Sequence, residues 1–321
     1  MRTRLRRAGQ GIGCFCSPVQ DRAVAVLSDN TKGALLMMAS MAAFTFNDTL
    51  VKMTAGALPL FQLIFLRGVL SSLFIGLLAW RLGGVRLRLP ARDVGLIGLR
   101  TAAEIGAAYF FITALLNMPI ANATAILQVL PLTVALAAAL FFGEPLGWRR
   151  MLAIAIGFTG MLMIVRPGTE GFTIWSVYAL IAVVCVTVRD LSTRRMSPAV
   201  PSMTVTLAAS LGVTLFFGLA SLGIDWAPVT PRLAALIGGA AVFILGGYTF
   251  SVLVMRVGEV SFIAPFRYTG LLWALLLGLI VFGEWPTALT LAGAALVVAT
   301  GVFTLVREGR LARRQAKMPR T

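Results

Sequence analysis

Six ionisable side chains stand inside long apolar runs: Asp48, Arg67, Glu104, Arg189, Asp190 and Arg267. An ionised group near the middle of a bilayer costs at least about 2.5–3.5 kcal/mol, so such residues are functional candidates by default. Three acids and three bases invite pairing, which lowers that penalty. Asp48 and Lys52 are four apart and share a helix face. They read either as an ion pair at the membrane interface or as a gate or proton site turned toward a cavity. Asp190 stands beside Arg189 and four before Arg194. Glu104 is the candidate for coupling to protons, because buried carboxylates are recurrent members of proton relays. Arg67 and Arg267 can each meet a carboxylate, a phosphate or carbonyl oxygens of a solute, or pair with Glu104 or Asp48. Arg100 lies nearer a helix end and reads as snorkelling.

Tyr109, Gln128, Tyr248, Tyr268 and Trp273 add hydrogen-bonding and stacking capacity along the same runs. Tyr268 and Trp273, five residues apart, can stack on a planar ring or pack as ordinary core. Several chemistries find no seat. There is no histidine, which removes the usual general base, metal ligand and pH switch together. Cys14, Cys16 and Cys185 form neither a disulfide framework nor a metal site. No Gly-rich phosphate loop followed by Lys and Ser/Thr is present. No Asp-rich motif serves a membrane-embedded transferase. No catalytic residue, metal or cofactor is expected, and nucleic acid is not expected as a partner.

The elements that carry these residues are set by composition. Of 321 residues, 59% are hydrophobic and only 12% charged, against roughly a quarter charged in a soluble domain. The apolar residues come in blocks, such as Leu127 to Phe142 and Ala288 to Val306, without a charge. Helices of about 20 apolar residues cross about 30 Å of hydrocarbon. Ten spans are expected, at approximately 33–52, 60–80, 94–116, 120–142, 150–166, 173–191, 203–224, 233–255, 261–282 and 288–306. Residues 1–32 read as a basic cytoplasmic leader and 307–321 as a basic tail. Pro131, mid-span, frees a backbone carbonyl and is expected to bend its helix, as is Pro265 early in its span.

The net charge of +16 is a matter of topology, facing lipid headgroups. With the N-terminus inside, 21 cations fall on the cytoplasmic side against 3 opposite. The positive-inside rule therefore places both termini in the cytoplasm.

Two stretches resemble one another. Phe141-Phe142-Gly143-Glu144-Pro145 ends the fourth span, and Val281-Phe282-Gly283-Glu284-Trp285-Pro286 ends the ninth. Before them stand Met118-Pro119-Ile120-Ala121-Asn122 and Val257-Gly258-Glu259-Val260-Ser261. Tyr109 corresponds to Tyr248, and Asp48-Thr49-Leu50-Val51-Lys52 to Asp190-Leu191-Ser192-Thr193-Arg194. The offset is about 140 residues, or five spans. Five is odd, so the second half enters the membrane from the other side, as an inverted repeat. Two such halves, 33–166 and 173–306, can alternate in opening and pass a solute without a continuous pore. The repeat makes Asp48 and Asp190 mirror counterparts, candidates for gates on opposite sides. Glu144 and Glu284 are read as helix-end residues that shape the turns.

The paired Phe-Gly-Glu helix ends resemble the drug/metabolite transporter superfamily, in its ten-span branch with two EamA-type domains. That resemblance implies an all-α polytopic carrier in a bacterial inner membrane, with a small polar metabolite held between the halves and lipid around it. Gly33-Ala34-Leu35-Leu36-Met37-Met38 with Phe46-Asn47-Asp48-Thr49 is similar to the riboflavin importer branch. The stretch Ala264 to Ala274 is similar to S-adenosylmethionine carriers. Riboflavin import is the leading expectation, with S-adenosylmethionine or amino-acid carriage as the alternative.

Overall fold

The computed structural model describes residues 29–82, 89–143, 148–166, 173–197, 199–254 and 263–316. Most of the leader, Glu144, Pro145, the 257–261 turn, the loop cations Arg86, Arg88 and Arg256, and the last five residues of the tail lie outside that set. Among the described residues every regular element is helical. In hydrocarbon this is the economical solution, because a helix satisfies its own backbone N–H and C=O groups.

The helices are α1 (Asp29–Lys52), α2 (Leu60–Leu82), α3 (Ala91–Asn117), α4 (Ile120–Leu127), α5 (Leu130–Phe142) and α6 (Trp148–Val165). They continue with α7 (Ile174–Arg195), α8 (Ser202–Ala220), α9 (Pro231–Val254), α10 (Thr269–Phe282) and α11 (Ala288–Ala316). Short 3₁₀ turns cover Ser221–Gly223 and Ala264–Tyr268. Eight helical stretches are long and apolar enough to cross a membrane, counting Ile120–Phe142 and Pro265–Phe282 as one each. The apolar stretches Met151–Val165 of α6 and Ala288–Thr304 of α11 are shorter. The chain is a multi-pass membrane protein.

The fourth expected span is two helices. α4 ends at Leu127, and α5 restarts at Leu130 with Pro131 in its first turn. Proline lacks an N–H and clashes with the carbonyl four residues back, so the helix divides there. Pro265 likewise opens the 3₁₀ turn that precedes α10. The two divided elements also finish alike. Gly143 and Gly283 cap α5 and α10 with φ of 66° and 65°, the left-handed conformation that glycine adopts without a Cβ penalty.

Packing is pairwise. α1 lies along α9, α3 along α7, α2 against α8 and α6 against α11, while α5 touches α7 and α10 touches α1. Gly160 and Gly293 let the α6 and α11 backbones meet, since a side chain on either would strike the other's carbonyl. The core follows α4 and its break: Ile120, Ala123, Ile126, Val129 and Leu132 are fully enclosed. Large apolar side chains on the outside, among them Leu73, Trp80, Leu140, Phe141, Leu215 and Ile280, are exposed. An apolar outer surface of that extent fits contact with lipid tails.

Candidate functional site

Ile64, Arg67, Gly68, Ser71 and Ile75 recur at helical spacing and present one face of α2 to a cavity. α3 adds Arg100, Glu104 and Ala108, α8 adds Thr206, Ala209, Ser210 and Val213, and α9 adds Ile244 and Tyr248. Gly68 lets α2 close on Thr214 of α8, where a side chain would clash, and the charged groups stand beside that contact. The cavity encloses about 90 Å³, room for a few waters. Drug-sized ligands occupy roughly 300–1,000 Å³, so such a solute enters only if the lining helices part.

Beside Arg67, Asn47 of α1 links two charges. Arg67 Nη1 donates to Asn47 Oδ1 at 3.5 Å, and Asn47 Nδ2 donates to Asp48 Oδ1 at 2.9 Å. Across the cavity, Glu104 faces two guanidiniums. Arg189 Nη1 lies 3.4 Å from its Oε1 and Arg100 Nη2 3.9 Å from its Oε2. Arg189 Nε also donates to Asp190 Oδ1 at 2.9 Å, and Arg100 Nε to Thr193 Oγ1 at 3.0 Å. Each of the two aspartates is thus held by the residue just before it, at the same distance. The charges compensate one another across α1–α2 and α3–α7, which is how ionised groups persist away from bulk water.

Lys52 does not pair with Asp48. Its Nζ meets Glu284 Oε1 at 2.8 Å and donates to the Met118 carbonyl at 2.5 Å. Glu284 Oε2 accepts the backbone N–H of Ile120 at 3.1 Å, at the start of α4. One ion pair, nine per cent exposed at Lys52, thereby ties the end of α1 to the α3–α4 junction and the end of α10. Four-residue spacing brings Asp48 and Lys52 to one face, but Asn47 and Glu284 offer better-placed partners. At the same end, Arg166 donates to Thr287 Oγ1, joining the end of α6 to the turn before α11.

The residues singled out from sequence fall into two groups. Arg67, Glu104 and Tyr248 line the cavity, and Asp48, Arg189 and Asp190 join them through the contacts above. The others stand elsewhere. Tyr109 packs with Phe61, Phe110 and Tyr178, at ring separations of 6.1, 5.2 and 6.4 Å. Gln128 occupies the α4–α5 break, next to Gly270. Arg267 is exposed on the 3₁₀ turn. Tyr268 is buried with its ring against Gly301, whereas Trp273 faces Phe46 at 6.2 Å. The two aromatics therefore point to different neighbours.

Ser71, Thr206, Ser210 and Arg100 also line the cavity, and Asn47 borders Arg67, although as residue types none of them stands out along the chain. The spacing of Arg67 with Ser71, and of Arg100 with Glu104, is i, i+4 in each case and was a usable signal. Among the described residues no group of three or more His, Cys, Asp or Glu can hold a metal ion.

Residues 31–166 match the model of the EamA-like transporter family. The chain is 28% identical over 274 residues to the pseudopaline exporter CntI of Pseudomonas aeruginosa, covering 82% of this chain and 93% of the relative. It is 27% identical over 195 residues to the S-adenosylmethionine uptake transporter of Rickettsia bellii, covering 59% and 65% respectively. With the riboflavin transporter of Rhizobium johnstonii it shares 26% over 206 residues, covering 64% and 68%.

Proposed function

From an EamA-like transporter domain over residues 31–166, we propose that this chain is a secondary transporter moving a small polar metabolite by alternating access. The observation that carries the reading is the charged cavity, because α2 and α3 of the first half and α8 and α9 of the second all line it. A site at the seam of two halves is reached from either side when the halves rock. Its small volume fits a closed state, between two open ones.

Ten crossings in two inverted five-helix repeats, 33–166 and 173–306, complete the proposal, with α6 and α11 as the fifth and tenth. Symmetric packing supports it. The α1–α9 contact is answered by α7–α3, and α5–α7 by α10–α1, while α2–α8 and α6–α11 answer themselves. The matched left-handed glycines at 143 and 283 support it too. The cation distribution favours cytoplasmic termini, and the bacterial relatives favour the inner membrane.

Riboflavin import remains the first cargo to test, since the start of α1 is similar to that branch and one relative is a riboflavin transporter. S-adenosylmethionine or amino-acid carriage is the alternative, supported by the Rickettsia relative. The test is uptake of labelled riboflavin by cells unable to synthesise it, with membrane insertion verified. Saturable uptake, competed by flavin analogues, selects flavin import. Absent uptake removes flavin and turns the assay to S-adenosylmethionine and amino acids.

A further inference from the structure

The cavity holds more hydrogen-bond donors than the protein uses. Arg100 Nη1 and Ser71 Oγ are buried and find no hydrogen-bond partner among the described residues. Both line the cavity together with Arg67, whose bond to Asn47, at 3.5 Å, is at the long limit for a hydrogen bond. Arg67 and Ser71 are four apart, so one turn of α2 presents them together. Glu104, the one acid in the lining, is already flanked by Arg100 and Arg189.

On the transporter reading above, we infer that this side of the cavity is a subsite for a carboxylate group of the solute, held between Arg67 and Arg100 with Ser71 Oγ as a third donor. A guanidinium donates only and cannot deprotonate, while a carboxylate offers about four acceptor positions in one plane. The two complement each other without a proton being moved. Asp48, Arg189 and Asp190 beside the lining already bring the charges to three of each sign, so what the site lacks is an acceptor for Arg100 Nη1 and Ser71 Oγ. A dianionic phosphate meets Glu104 with a larger like charge than a carboxylate does. A neutral carbonyl also accepts from these donors, but a charge-assisted bond to a carboxylate is roughly twice as strong. The subsite therefore favours an amino acid or another monocarboxylate end over an uncharged ring system such as riboflavin.

The test uses the full chain purified in detergent, with thermal unfolding as the binding readout. The probes are S-adenosylmethionine and its decarboxylated form, glutamate and its dimethyl ester, and riboflavin, each at millimolar concentration. The expected result is stabilisation by an acid that its carboxylate-free twin does not reproduce. Ser71→Ala and Arg100→Gln are each expected to weaken that acid by about ten-fold, as loss of a hydrogen bond to a charged group does. Ser71→Ala is the decisive variant, because Ser71 Oγ has no bond within the fold to lose, whereas Arg100 also holds Glu104 and Thr193. Equal stabilisation by a carboxylate-free twin, stabilisation by riboflavin alone, or no response to any acid overturns the subsite. Flux into proteoliposomes separates the two readings. Riboflavin flux without an acid response discards the subsite and keeps the transporter. Acid binding without flux of that acid keeps the subsite and discards the transporter.

Discussion

Arg67, Glu104 and Arg189 come from three helices, and each is tolerable where it stands only because the others and Asp48 stand near. Burial in a membrane protein makes such charges interdependent, since removing one partner leaves another charge uncompensated and costs up to about 3–5 kcal/mol. Arg67→Ala is accordingly expected to lower the unfolding midpoint in detergent and to abolish most transport, while the chain still inserts. Arg267→Ala is expected to leave stability within about 0.5 kcal/mol of wild type, as exposed substitutions do. Because Arg267 lies outside the cavity lining, transport by that variant is expected to stay near wild type. Equal losses in both variants would return Arg267 to the pathway. Sequence alone ranked these two arginines together, because each is a lone cation in an apolar run. Their difference is one of surroundings, which sequence spacing does not record.

Among the elements, a bend at Pro131 and at Pro265 was legible in advance, whereas full division of those helices and their fastening were not. Pro131 and Pro265 mark the places of the bends through a fixed chemical property, the missing N–H. The glycines at 143 and 283 announce helix ends for the same kind of local reason. The partner of Lys52 is Glu284, 232 residues away, and no local rule reaches that far. This ion pair holds α1, the α3–α4 junction and the end of α10 at one end of the bundle. A double-mutant cycle with Lys52→Met and Glu284→Gln is expected to show a coupling of about 1–3 kcal/mol in thermal unfolding. Strict additivity of the two single changes would mean that the contact contributes nothing. If the bundle opens at that end during transport, the same variants also raise labelling of a cysteine placed at Thr54, measured in a chain cleared of Cys14, Cys16 and Cys185.

For the whole molecule, orientation is a bulk electrostatic matter and is testable without knowing the cargo. Placing 21 cations against 3 across the bilayer predicts a C-terminus in the cytoplasm. Green fluorescent protein fused after Thr321 is expected to be bright and alkaline phosphatase there inactive. The reverse pattern would invert every inside–outside assignment made above. The membrane character and the places of the long apolar helices followed from sequence, because hydropathy and charge act locally or in aggregate. Tertiary structure alone decided which charges meet: Glu104 between Arg100 and Arg189, Asp48 reached from Arg67 through Asn47, and Lys52 on Glu284 instead of Asp48. It also decided that Ser71 and Arg100 border a cavity while Tyr268 and Trp273 turn to other neighbours. Those pairings depend on how helices far apart in the chain rotate and pack, and in an apolar bundle many rotations bury similar area, so the pattern of residues along the chain does not select among them.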